Sequence, residues 1–153
     1  MPIEILQEST INKISAGEVV ERPLNVVKEL IENALDAGAS SVSVEIEQAG
    51  KKLIRVCDNG AGMDKQDLLL CVKRHATSKI KKFEDLSKIS SLGFRGEAIP
   101  SIASISMFEI KTQLRNESSG WQLYIEGGKE SQLTPWAGSG GTIVEVRNLF
   151  FNT

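Results

Sequence analysis

Hydrophobic residues recur along the chain first at helical spacing and then at strand spacing. A short helix is expected from Thr10 to Gly17, with Ile11, Ile14 and Ala16 facing inward. The next helix, over 23–37, is better defined. Leu24, Val27, Ile31, Ala34 and Leu35 repeat every three to four residues, and Leu30 widens the stripe, as on a helix with one buried face. Pro23 stands where the first helical residue belongs and Gly38 where the helix should stop, the asymmetry that helix ends favour. Val42, Val44 and Ile46 then alternate with Ser41, Ser43, Glu45 and Glu47, the period of a half-buried strand. Residues 48–52 turn the chain, and 53–57 return as a second strand.

Asp58-Asn59-Gly60-Ala61-Gly62 interrupts regular structure. A helix is expected from Asp64 to about Val72, and a weaker one from Phe83 to Ile89. Ser90 to Gly96 reads as a loop, opening into a short helix over Glu97–Ile105 with Pro100 awkwardly early in it. Strands follow at 107–114, 120–127, 130–136 and 142–148. Helices, a hairpin, more helices and an antiparallel run argue for an α+β fold. The expected form is a two-layer sandwich of a mixed, largely antiparallel sheet with helices on one face. The last residues, Phe150-Phe151-Asn152-Thr153, bring no closing helix, so 1–153 is expected to be one domain, incomplete at its C-terminal end.

Composition narrows the partners more than the fold. At 153 residues with 41 % hydrophobic and 25 % charged content, one core can bury roughly two-thirds of the unfolded surface. The net charge of -2 gives no global case for nucleic acid. Cys57 and Cys71 lack metal-ligand spacing and read as small buried hydrophobes in a reducing compartment. No apolar run approaches the roughly 18 residues of a membrane span, and the first residues lack the basic leader and apolar core of a signal peptide. A cytoplasmic protein is expected, in which Asn116-Glu117-Ser118 matches the glycosylation triplet by chance.

Three places carry candidate chemistry. Glu29 and Asn33 are one helical turn apart on the polar face of 23–37. A carboxamide oxygen can ligate Mg²⁺, and a carboxylate beside it can activate water for attack on phosphorus. Taken alone, such a face is more often a solvated acidic stripe. Asp58, after a buried-looking strand, can accept a hydrogen bond from an exocyclic amine such as that of adenine, with glycines letting backbone approach a flat ring. Most strings of this kind are plain turns. Gly93-Phe94-Arg95-Gly96 before a helix places backbone N–H groups towards an anion, although a lone pair of glycines at this spacing is weak evidence. The basic stretch from Lys73 to Lys82 can be read as a mobile lid over phosphates, a DNA-facing patch or a solvated stretch, the last being the default by composition. His75, the only histidine, reads as structural.

Other chemistries lack support. Gly127-Gly128-Lys129-Glu130 has Glu130 where a phosphate-binding P-loop needs Ser or Thr to hold the metal. The zinc and serine-hydrolase signatures are missing too.

In their order, Glu29-x-x-x-Asn33, Asp58-x-Gly60-x-Gly62 and the loop at 93–96 resemble the GHKL ATPase superfamily. The strings "AGEVVERPLNVVKELIENALDAGA", "DNGAGM", "RHATSKI", "SLGFRGEA" and "LFFNT" are similar to the N-terminal domain of the MutL family of DNA mismatch-repair proteins. The resemblance implies an ATPase of the Bergerat fold using ATP and Mg²⁺. It makes Glu29 the general base, Asn33 the Mg²⁺ ligand and Asp58 the adenine-binding aspartate, helped by Gly62 and Thr142. Ala76, Thr77, Ser78 and Lys79 match the edge of a nucleotide lid; Leu92, Gly93, Phe94, Arg95, Gly96 and Glu97 match the phosphate loop. It further implies lid closure on Mg-ATP and an ATP-dependent homodimer that signals to repair partners. Those partners would be a MutS-type mismatch-recognition protein and a downstream nuclease or helicase. DNA would be bound by the full-length protein, and no membrane is involved. The segment 107–127 matches no family string and is assigned only to sheet. Family members continue past "FNT" into a second domain whose lysine reaches the γ-phosphate.

Alternatives remain at this point. One is another GHKL member such as a topoisomerase subunit, against which "GFRGEA" and "RHATSKI" tell. A second is a module that binds nucleotide without turning it over. A third, a DNA-binding module led by Lys73 to Lys82, is weakest at this net charge.

Overall fold

The computed structural model of the chain describes residues 22–73 and 95–153, at 95–97 the backbone alone. The helices expected at 10–17 and 83–89, the residues Ala76, Thr77, Ser78 and Lys79, and Leu92, Gly93 and Phe94 lie outside the described residues.

Helix α1 runs over Pro23–Asp36. Before it the Arg22 N–H donates to Asn25 Oδ1 at 2.9 Å. After it Gly38 takes φ +77, a conformation that costs glycine little. The buried face carries Val26, Leu30 and Ala34, while Leu24 is 72 % and Leu35 58 % exposed. The inward stripe is therefore rotated from the expected one. Six apolar positions span more of the helix than its neighbours can cover. Helix α1 lies on the second strand and against a later helix, and Leu24 and Leu35 fall on its flanks.

Strands β1 (Val42–Glu47) and β2 (Leu53–Asp58) form a hairpin in which Val44 faces Val56 and Ile46 faces Ile54. The half-buried strand expected at 42–46 is corrected here, since Val44 is 37 % and Ile46 50 % exposed. Strand β1 is the sheet edge, and α1 packs over β2. Helix α2 (Lys65–Cys71) starts at Asp64, whose side chain accepts the Asp67 N–H, and Leu68 anchors it in the core. Helix α3 (Arg95–Ser104) takes in Arg95 and Gly96, which composition had placed in a loop. Pro100 costs this helix a rung, yet Ala98, Ile99, Ile102 and Ala103 pin it to the sheet.

Strands β3 (Met107–Gln113), β4 (Gly120–Glu126), β5 (Lys129–Glu130), β6 (Thr134–Trp136) and β7 (Gly141–Arg147) complete the described sheet. The single strand expected at 130–136 is two short pieces, each pairing with β4. Pro135 cannot donate to a ladder, and Ser131 instead turns to the Tyr124 carbonyl. The order is β1-β2-β7-β3-β4-β5, so the last strand in the chain inserts between β2 and β3. All described pairings are antiparallel.

The register builds the core in rows. Ile54, Val146, Phe108 and Ile125 stand side by side, as do Val56, Val144, Ile110 and Leu123. All eight are buried beneath the helices, each worth about 1.5–3 kcal/mol of transfer free energy. The other face is charged. Arg55 pairs with Glu145 at 3.1 Å and Glu45 at 3.3 Å, contacts worth about 0–1 kcal/mol each at a surface. Among the described residues no helix is long and apolar enough to cross a membrane.

Candidate functional site

A third row, polar where the other two are apolar, lies at one end of the strands. Asp58, Thr142 and Thr112 are successive partners across β2, β7 and β3. The Asp58 Oδ1 accepts the Gly60 N–H at 2.8 Å. Burial raises the Asp58 carboxyl above the ordinary carboxylate value, while N–H donation from Gly60 and Thr142 and the Arg115 charge pull it the other way.

Thr112 is wholly buried and joins this row to the loop after β2. Its Oγ1 accepts the Met63 N–H at 2.9 Å and lies 2.9 Å from Thr142 Oγ1. The loop can approach so closely because Gly62 has no Cβ: one there would run into the Gln113 carbonyl, and φ is +73.

Above the row is a cavity of about 260 Å³ whose lining includes Asn33, Asp58, Gly62 and Thr142. Its walls are otherwise largely apolar, with Val56, Ile99, Ile110 and Val144. Apolar walls with a few convergent polar groups suit a heteroaromatic ring. Cys71 also lines it, and burial, with Asp67 adding, pushes that thiol up to about 12. Both cysteines are free and half-buried.

Among the described residues, Asn33 contributes the one carboxamide of this wall. Glu29 lies one turn back along α1, half-buried, with its Oε2 shielded from solvent. Glu29 is not on the cavity wall itself. No group of three or more His, Cys, Asp or Glu suited to a metal occurs among the described residues. A single oxygen donor such as Asn33 does fit Mg²⁺, which keeps several waters and shares substrate phosphates.

The structure thus brings together Asn33, Asp58, Gly62 and Thr142, with Glu29 on the same helix. Arg95, Gly96 and Glu97 belong to α3, whose Ile99 reaches the cavity. Sequence reasoning missed Thr112, Met63 and Arg115. Only Thr112 left a signal, a small hydroxyl in a strand otherwise carrying large apolar residues on that face.

The family model of histidine kinase-, DNA gyrase B- and HSP90-like ATPases matches residues 21–136. The DNA mismatch repair protein MutL of Endomicrobium trichonymphae is 65 % identical over 153 residues, covering 100 % of this chain and 26 % of that protein. MutL of Syntrophotalea carbinolica is 56 % identical over 151 residues, covering 99 % and 24 %. The chain therefore spans about a quarter of the length of these curated relatives. Among solved structures, the Aquifex aeolicus MutL ATPase domain complexed with ADP is similar at a TM-score of 0.65 and 36 % identity, covering 88 % of this chain and 45 % of that one. The N-terminal domain of a DNA repair protein is similar at a TM-score of 0.77 and 32 % identity, covering 97 % and 43 %.

Proposed function

The chain belongs to the histidine kinase-, DNA gyrase B- and HSP90-like ATPase family, in its MutL group, and on that footing we propose that it forms the Mg-ATP site of a mismatch-repair protein and hydrolyses ATP there. The observation that carries this reading is the meeting of Asn33, Asp58 and Thr142 in one cavity, with Glu29 one helical turn away.

Each group has a task set by its chemistry. Asp58 accepts a hydrogen bond from the 6-amino group of adenine, and the Thr142 hydroxyl adds a second polar contact. Val56, Ile110 and Val144 offer the ring apolar contact. Asn33 supplies a carboxamide oxygen to Mg²⁺, which when bound neutralises charge on the phosphates. Glu29 orients a water and takes its proton as the oxygen attacks the γ-phosphorus. The bond from that phosphorus to the β-bridging oxygen breaks, and its electron pair leaves with ADP. Positioning and charge neutralisation carry most of such a reaction.

In the full-length protein, Mg-ATP binding closes a lid over the nucleotide. Closure promotes a homodimer that signals in the cytoplasm to a MutS-type protein and a downstream nuclease or helicase. The test is titration of labelled ATP into the full-length protein and into residues 1–153, with and without Mg²⁺, alongside phosphate release. Mg²⁺-dependent binding lost in Asn33→Ala is expected. Absence of nucleotide binding, or binding indifferent to that substitution, would overturn the reading.

A further inference from the structure

Arg115 sits in the connection between β3 and β4, and its side chain is exposed. It nevertheless reaches across to three main-chain carbonyls. Its Nε donates to Gly60 at 3.2 Å, and its Nη2 to Gly38 at 3.0 Å and Asn59 at 3.1 Å. Gly38 follows the C-terminal end of α1, and Asn59 and Gly60 follow Asp58. One planar group therefore straddles the joint between the helix of Glu29 and Asn33 and the loop of Asp58.

The rest of the joint is made of short hydrogen bonds. The Asn59 Oδ1 accepts the N–H groups of Ser40 and Ser41 at 2.8 and 2.9 Å, and its Nδ2 donates to Ser40 Oγ at 2.8 Å. The Ala61 N–H donates to the Ala37 carbonyl at 2.9 Å. A cation is well placed here, since the last carbonyls of a helix carry partial negative charge. A guanidinium is better than an ammonium, because its fixed fork can serve several acceptors at once.

We infer that Arg115 is a positioning residue for nucleotide recognition, holding the Asp58 loop against the end of α1 so that base-binding and phosphate-binding groups keep one separation. The inference rests on the adenine-site reading above. Being exposed, Arg115 fills no core, and water can solvate its three carbonyls when it is gone. What its loss removes is the fixed geometry of the joint.

The test is calorimetric titration of the full-length protein with ADP and with inosine diphosphate, which has an oxygen in place of the 6-amino group. The parent is expected to prefer ADP, and Asp58→Asn to lose that preference. In Arg115→Gln, ADP binding should weaken by on the order of tenfold, the usual effect of removing an orienting partner. The ratio of ADP to inosine diphosphate affinity should fall towards that of Asp58→Asn. Arg115→Lys, with charge but no planar fork, should fall between, and it carries the test should the glutamine variant not fold. Parent-like ratios in the folded variants, including an equal loss for both nucleotides, would overturn the role of Arg115. A parent with no preference for ADP, or Asp58→Asn that keeps it, would instead remove the adenine reading on which the inference stands.

Discussion

Asp58 and Thr142 are register partners on β2 and β7, and both line the cavity. That places a half-buried carboxylate where its desolvation is only partly offset. The folded pKa is raised, chiefly by burial, so in the window between the ordinary carboxylate value and the raised one the folded state binds more protons than the unfolded state. Stability from this group falls as pH rises through that window and is lowest above it.

Asp58→Asn should accordingly raise the thermal stability of the nucleotide-free protein at neutral pH while weakening adenine nucleotide binding. The gain over the parent should shrink as pH is lowered through the carboxylate range, because the parent aspartate is then protonated as well. Paired melting curves at several pH values read this directly. A gain that grew on acidification would contradict the assigned sign.

Glu29→Ala in the full-length protein should leave ATP binding in place and cut hydrolysis by about 10²–10⁴-fold, the usual worth of a general base. Filter binding of labelled ATP and phosphate release, measured on one preparation, separate the two effects. Turnover at the parent rate would dismiss Glu29 as the base.

Thr112→Val keeps the side-chain shape and deletes one hydroxyl. The Met63 N–H then loses its acceptor and Thr142 Oγ1 its neighbour. A buried donor left without its acceptor costs about 1–3 kcal/mol, which denaturant unfolding would show as a lower midpoint with an unchanged slope. Nucleotide affinity should drop too, since the Gly62–Met63 loop is tied to the sheet through that hydroxyl. An unchanged midpoint would mean that the network is not structurally coupled.

Cys71 should resist alkylation. With its thiol pushed up to about 12, only on the order of 10⁻⁴ of it is thiolate at pH 8, and the thiolate is the reactive form. Iodoacetamide followed by peptide mass spectrometry should find Cys71 unmodified in the folded protein and modified after denaturation. Equal labelling in both states would contradict the burial described.

How far these features could be read in advance depended on whether they were local. Pro23 and Gly38 marked the ends of α1 because helix termini are set by neighbouring residues. Alternation marked β1 because a strand repeats every two residues. Which apolar residues were covered was another matter. Leu24, Leu35, Val44 and Ile46 look as hydrophobic as Val26 or Ile54, and their exposure follows from α1 lying over β2 and leaving the edge open.

The site divides in the same way. Glu29 and Asn33 share a face through the pitch of one helix, and Asp58 and Gly62 share a turn, so the sequence by itself determined those pairs. Thr142 meets Asp58 and Thr112 only because β7 inserts between β2 and β3. Arg115 meets Gly38, Asn59 and Gly60 only because the β3–β4 connection comes to lie over the end of α1. Those contacts span tens of residues. They depend on strand order and on which helix covers which strand, which the packing of the whole core decides and no local spacing records.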